Sequence, residues 1–240
     1  MTKIFQMDLS NPQHVRTTII SMIASFLLYF IIYKILRRKV NVSPEYEIRL
    51  LTFFHGVFSS TCALHYVVLP ALGYYEVSSI PFKLILSHSM GYFTFDLLWC
   101  FWYGESGVMK FHHIVTVTGL MYYSFKFSQQ YVILYSLGLT EFTNPLLQIR
   151  WYLKHHGLRD TLLFKIVEAL FILAFFSIRV FVFSYYAYIG WTDPKYGFTG
   201  DDLFFITLGL IVGYSLSYQM FGYIMHQLRK SKSKKNDKKE

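Results

Sequence analysis

Residues 203–228 read LFFITLGLIVGYSLSYQMFGYIMHQL, a run without a single aspartate, glutamate, lysine or arginine. As a helix rising about 1.5 Å per residue, such a run is long enough to cross the roughly 30 Å hydrocarbon core of a bilayer. A helix on the surface of a soluble domain carries a charged face, and this one has none. The stretches between Arg16 and Lys34 and between Arg49 and Glu76 are equally free of charge. Those between Lys83 and Glu105 and between Lys126 and Arg150 hold one charge each, Asp96 and Glu141. A shorter uncharged stretch separates Lys110 from Lys126, and Glu168 and Arg179 are the only charges between Lys165 and Asp193. Across the 240 residues, 54% are hydrophobic and 15% charged, with a mean hydropathy of +0.35. That is too little charge to coat a soluble domain of this size. The pattern predicts an all-α, polytopic membrane protein of about seven transmembrane helices, at roughly 17–36, 50–72, 84–103, 108–126, 130–149, 162–189 and 204–226.

Loop charge tests that count. With seven spans, 17 of the 23 lysines and arginines fall on one side and five on the other, Arg179 lying inside a span. Removing the short fourth span would swap the last two basic loops and erase the bias. The positive-inside rule then predicts an outside or lumenal N-terminus and a cytosolic C-terminus. Trp151 and Trp191 stand at span ends as interface anchors. Three segments follow: 1–44, holding the N-terminus, a retained signal-anchor helix and a basic loop; a six-helix domain at 45–228; and a basic, structureless cytosolic tail at 229–240.

The net charge of +9 does not point to nucleic acid, because much of it sits in that tail beside a membrane exit, where anionic headgroups are the natural partner. Asn41-Val42-Ser43 fits a glycosylation pattern but precedes Pro44 in a predicted cytosolic loop, so it is expected to be unmodified. Cys62 and Cys100 lie in apolar runs without metal-ligand spacing, and no HExxH-type motif occurs. No metal site is therefore expected.

Ionisable groups inside a span cost about 2.5–3.5 kcal/mol each on insertion scales, so each needs a reason. Here they are Asp96, Glu141, Glu168 and Arg179, with His55, His65, His88 and the adjacent pair His112-His113. At ~1.5 Å per residue, Asp96 and Glu141 lie about 17–18 Å into their spans, and His112, His113 and His55 fall in the same half of the membrane. Glu141, Asn144 and Gln148 recur at i, i+3 and i+7, forming one polar stripe on a helix. Pro145 donates no bond to the carbonyl of Glu141, which suits a helix lining a cavity. Adjacent histidines diverge by about 100°, so only one of the pair faces a given site. Glu168 and Arg179, eleven residues apart, share a helix face and are expected to neutralise one another; Arg179 also lies within reach of the Asp96 layer if the helices adjoin. His65 and His88 are expected to be structural.

Four stretches carry a family resemblance: Arg49-Leu-Leu-Thr-Phe-Phe-His55-Gly56, Gly91-Tyr-Phe-Thr-Phe-Asp96-Leu, His112-His113-Ile-Val, and Glu141-Phe-Thr-Asn144-Pro145 through Arg150-Trp151. In order and spacing they resemble the TLC-domain membrane proteins over about residues 45–226, a superfamily that includes ceramide synthases and TRAM-type translocon proteins. The small orphan TLC-domain-containing proteins are the most similar. The resemblance implies a TLC-type bundle enclosing a cavity at membrane depth, and a role in lipid metabolism in the endoplasmic reticulum or another endomembrane. His112-His113 matches the histidine pair at which ceramide synthases transfer an acyl group from acyl-CoA to a sphingoid amine. The His-Asp pair and further Asp that follow in those enzymes are missing: this chain has Thr140-Glu141-Phe142-Thr143-Asn144 in the comparable region.

Two functions remain open. One is an acyltransferase-like enzyme with His112, His113, Asp96 and Glu141 as catalytic residues, and His55, Asn144, Gln148 and Arg179 contacting lipid. It needs no resident cofactor, acyl-CoA being a co-substrate. The other is a non-catalytic lipid-binding protein or regulator of membrane lipid composition using the same cavity, which the missing His-Asp pair favours. Membrane lipids are the partners in both. A seven-helix receptor fits poorly, since the third span lacks an Asp-Arg-Tyr-like end and Asn144-Pro145 falls in the fifth.

Overall fold

The computed structural model describes residues 12–39, 43–74, 81–126 and 130–236. Asn41 and Val42 of the glycosylation pattern, the first eleven residues and the last four lie outside the described residues. No strand occurs among the described residues. They form seven long helices: α1 (Pro12–Lys39), α2 (Pro44–Ala71), α3 (Phe82–Trp102), α4 (Gly107–Phe125), α5 (Gln130–His155), α6 (Leu162–Thr192) and α7 (Gly200–Asn236). Two are locally π-wound, α2 over Leu64–Val68 and α6 over Ser177–Val182.

Local chemistry sets the helix ends. Ser43 Oγ accepts from Tyr46 N at 3.2 Å ahead of Pro44, with Glu45 and Glu47 in the first turn of α2. This combines an N-cap, a proline where no amide is needed, and acids at the positive end of the helix dipole. Ser106 caps α4 likewise, accepting from Met109 N at 3.3 Å. Thr199 N donates to Asp202 Oδ2 at 2.9 Å ahead of α7, the return half of a capping box. Gly157, at φ 74°, ends α5: its own N donates to Lys154 O at 3.1 Å and Leu158 N to Leu153 O at 2.8 Å. That left-handed turn ties up the last carbonyls of the helix.

Chain contacts divide the molecule into two compact units, Met1–Ala174 and Phe175–Glu240. In the first, α1 and α4 pack against α3, and α2 packs along α5. Tyr29, Leu51, Leu86, Met90, Tyr92 and Phe93 belong to its buried centre. Helices bind one another in a bilayer mainly through close packing, so small residues mark the tightest contacts. A Cβ at Gly91 would lie 2.6 Å from Met22 O on α1, and one at Gly56 would lie 2.8 Å from Pro145 Cδ on α5. Gly91→Ala is therefore expected to lower stability by about 1–3 kcal/mol, since the obstacle is backbone that no rotamer change can move. Gly107→Ala, with nothing within 4 Å, is expected to leave stability unchanged. Circular dichroism during mixed-micelle denaturation checks both.

In the second unit Arg179 is buried within the π-wound turn and lies over the Phe175 ring at 5.0 Å. Gly213 lets α7 approach the Arg179 carbonyl, to which a Cβ would come within 3.1 Å. The backbone of α7 continues to Asn236, past the expected start of the tail at residue 229, and residues 237–240 of that tail lie outside the described residues. Lysine is a good helix former, and extending an existing helix avoids the cost of nucleating a new one.

Large apolar side chains cover the outside while polar ones lie within. Trp102 is 85% exposed, whereas His55 and Ser59 are fully buried. For a soluble protein that pattern is inverted; in lipid it is the solvated arrangement. Four helices, Pro12–Arg38, Pro44–Ala71, Leu162–Thr192 and Gly200–Gln227, are long and apolar enough to cross a membrane. The chain is an all-α membrane protein.

Candidate lipid site: two buried imidazole–carboxylate pairs

The polar stripe of α5 faces α2. His55 Nδ1 lies 3.0 Å from Glu141 Oε2, and its Nε2 lies 3.3 Å from Ser59 Oγ one turn further along α2. Asn144 Nδ2 donates to the same Glu141 oxygen at 3.0 Å. A carboxylate only accepts, so the His55 proton sits on Nδ1, leaving Nε2 to accept from Ser59. The third member of the stripe, Gln148, takes Arg49 Nη1 at 3.1 Å. Arg49 also donates to Glu45 and lies 4.6 Å over the Trp151 ring. Gly56 makes the close approach possible, since a Cβ there would lie 3.1 Å from Glu141 O, the carbonyl that Pro145 leaves without its usual amide.

The second pair joins α3 to α4. His113 Nε2 lies 3.5 Å from Asp96 Oδ2, and both residues are buried. Tyr92, one turn before Asp96, donates to that oxygen at 3.1 Å and lies 2.9 Å from Thr52 Oγ1 on α2. The Tyr92 ring also stacks on His55, with centroids 3.8 Å apart and planes 15° apart. One side chain thus touches both pairs. His113 Nδ1 is buried and has no hydrogen-bond partner among the described residues.

Of the residues singled out by sequence, His55, Asp96, His113, Glu141 and Asn144 come together. His112 is half-buried beside them, its ring centroid 5.1 Å from that of His113. Gln148 is engaged at the Arg49 end of the stripe, and Arg179 belongs to the second unit. The expected Glu168–Arg179 pair is corrected: Glu168 Oε1 receives Arg150 Nε at 3.0 Å and Nη2 at 2.8 Å. Eleven residues return to one face but span about 16 Å of axis, beyond the reach of two side chains. His88 is held structurally. Ser25 gives its proton to His88 O at 2.7 Å and lies 3.2 Å from Nδ1, and Tyr29 OH lies 2.9 Å from Nε2.

Tyr92 and Ser59 escaped the sequence reading, which gave Cys100 no ligand role, and the signal for all three is the same. Each stands four residues from a group already singled out, on the same helix face. Asp96, Cys100 and His113 also place one ligand atom each within 4.8 Å of one another.

The TLC-domain family model matches residues 45–226, most of the chain. The chain belongs to the TLC-domain family. Both pairs lie inside the matched region, and the whole of α1 precedes it. No solved structure matches the chain. As a TLC-domain protein it is a lipid-related membrane protein, and its buried polar groups sit among helices built for that setting. An apolar groove of about 420 Å³ lies between α2 and α5, lined by Val57, Ser60, Leu64, Tyr135, Gly138 and Phe142 among others.

Proposed function

We propose that this TLC-domain protein transfers an acyl group from acyl-CoA to an amine or hydroxyl of a membrane lipid, with His113 as the proton acceptor. The supporting observation is the asymmetry of the His113 ring, whose Nε2 lies 3.5 Å from Asp96 while the buried Nδ1 has no partner among the described residues. The nearby carboxylate favours the proton on Nε2 and stabilises the imidazolium, which leaves the Nδ1 lone pair free. The acceptor gives its proton to Nδ1 as it attacks the thioester carbonyl. The C–S bond breaks, and the CoA thiolate leaves with the proton taken back from the imidazolium. His112 stands at the half-buried approach to the ring. In this reading the chain makes seven spans with a cytosolic C-terminus, resides in an endomembrane, and receives acyl-CoA from its basic face.

The test is product formation. Purified protein in lipid nanodiscs, given labelled acyl-CoA and a panel of lipid amines and alcohols, is expected to yield an acylated lipid and free CoA. No CoA-dependent product would overturn the reading.

A second reading, lipid binding without chemistry, draws support from the other pair. His55 is hydrogen-bonded at both nitrogens and buried with Glu141, an arrangement suited to rigidity. Its signature is native lipid retained unchanged on gentle solubilisation, detected by mass spectrometry.

A further inference from the structure

We propose that Asp96, Cys100 and His113 form an exchangeable site for a zinc-class divalent ion, and that metal binding and proton transfer by His113 are mutually exclusive uses of the same residues. The three residues are buried, and one ligand atom from each lies within 4.8 Å of the others. Asp96 and Cys100 stand one turn apart on α3, so a single helix face presents both, and α4 supplies the imidazole. Ligand atoms around tetrahedral zinc sit about 3.3–3.6 Å from one another, given bonds of about 2.0–2.3 Å. The 3.5 Å between His113 Nε2 and Asp96 Oδ2 already meets that spacing.

The charge arithmetic suits a membrane interior. A carboxylate and a thiolate neutralise a divalent cation, and the imidazole is neutral, so the filled site carries no net charge into a low-dielectric region. The thiolate selects a soft or borderline ion over calcium or magnesium, which take oxygen ligands. Tyr92 donates to Asp96 Oδ2 at 3.1 Å, an outer contact that orients the carboxylate towards the ion.

Binding releases the Cys100 proton to solvent and moves the His113 proton from Nε2 to Nδ1. Nδ1 has no acceptor among the described residues, and a missing outer contact of this kind weakens metal affinity by roughly 10–100-fold. Three protein ligands also leave the fourth position open. Both features make the ion exchangeable rather than a permanent structural part. With Nε2 on the metal and Nδ1 protonated, His113 has no lone pair to act as base.

Metal binding stands on this geometry alone; its inhibitory consequence rests on the acyl-transfer reading. The full chain, stripped with a chelator in detergent and titrated with cobalt(II), is expected to bind one ion with a thiolate-to-cobalt charge-transfer band. Cys62→Ser is expected to keep that band and Cys100→Ser to lose it. Absence of the band in the wild type, or its persistence in Cys100→Ser, overturns the proposal. In metal-free protein that transfers acyl groups, zinc is expected to suppress transfer at least tenfold in the wild type and not in Cys100→Ser. Equal suppression of both overturns the exclusivity. Lack of transfer in metal-free protein counts against the catalytic reading and leaves the cobalt result standing.

Discussion

His113→Ala is expected to lower acyl transfer by about 10²–10⁴-fold with helical content retained, the range typical of losing a positioned general base. It is expected to lower stability as well, because Asp96 loses a buried partner. The stability loss and the loss of turnover are separable, since the unpartnered Nδ1 bears on the chemistry and the Nε2 contact with Asp96 on the fold. Asp96→Asn keeps the shape and removes the charge that stabilises the imidazolium, so its loss falls on turnover rather than on substrate binding. His112→Ala, altering a half-buried ring beside His113, is expected to have the smaller effect. Single-turnover assays in nanodiscs with labelled acyl-CoA separate these cases. Equal activity in wild type, His113→Ala and His112→Ala would remove the pair from the mechanism.

His55→Ala is the change expected to damage the fold most. It leaves the buried Glu141 carboxylate with Asn144 as its remaining side-chain donor among the described residues. Taking the hydrogen-bond donor from a buried carboxylate costs about 3 kcal/mol or more, because the oxygen left behind is not reached by water. Glu141→Gln in the same chain is expected to restore much of the loss, since an amide carries no charge to strand. A double-mutant cycle by mixed-micelle denaturation, with both single variants and the double, measures the coupling. Additive effects would show that the two side chains do not interact in the folded protein.

The helices were legible from their apolar runs, four of them long and apolar enough to cross a membrane. The α5 stripe was legible too: Glu141, Asn144 and Gln148 share one face, and all three prove to be engaged by hydrogen bonds. What escaped was partner choice across helices. Tyr92 sits in an apolar run and reads as core packing, yet it joins the two pairs. Cys100 has no ligand spacing along the sequence because its companion His113 arrives on another helix. Glu168 was assigned the wrong arginine because periodicity reports direction around a helix and says nothing of distance along it. Charge composition alone does not reveal where a helix stops, and α7 continues to Asn236.

Tyr92 has one further consequence, for how such a site changes over time. Its ring rests on His55 while its hydroxyl holds Asp96, so the two pairs share a hinge of a single residue. A substitution that suits one pair is then judged in the background of the other, and improvement at either is rarely free of a sign change elsewhere. Divergence towards a new lipid is easiest through steps that keep the ring and alter only what surrounds the hydroxyl. A phenylalanine there would release each half to drift on its own.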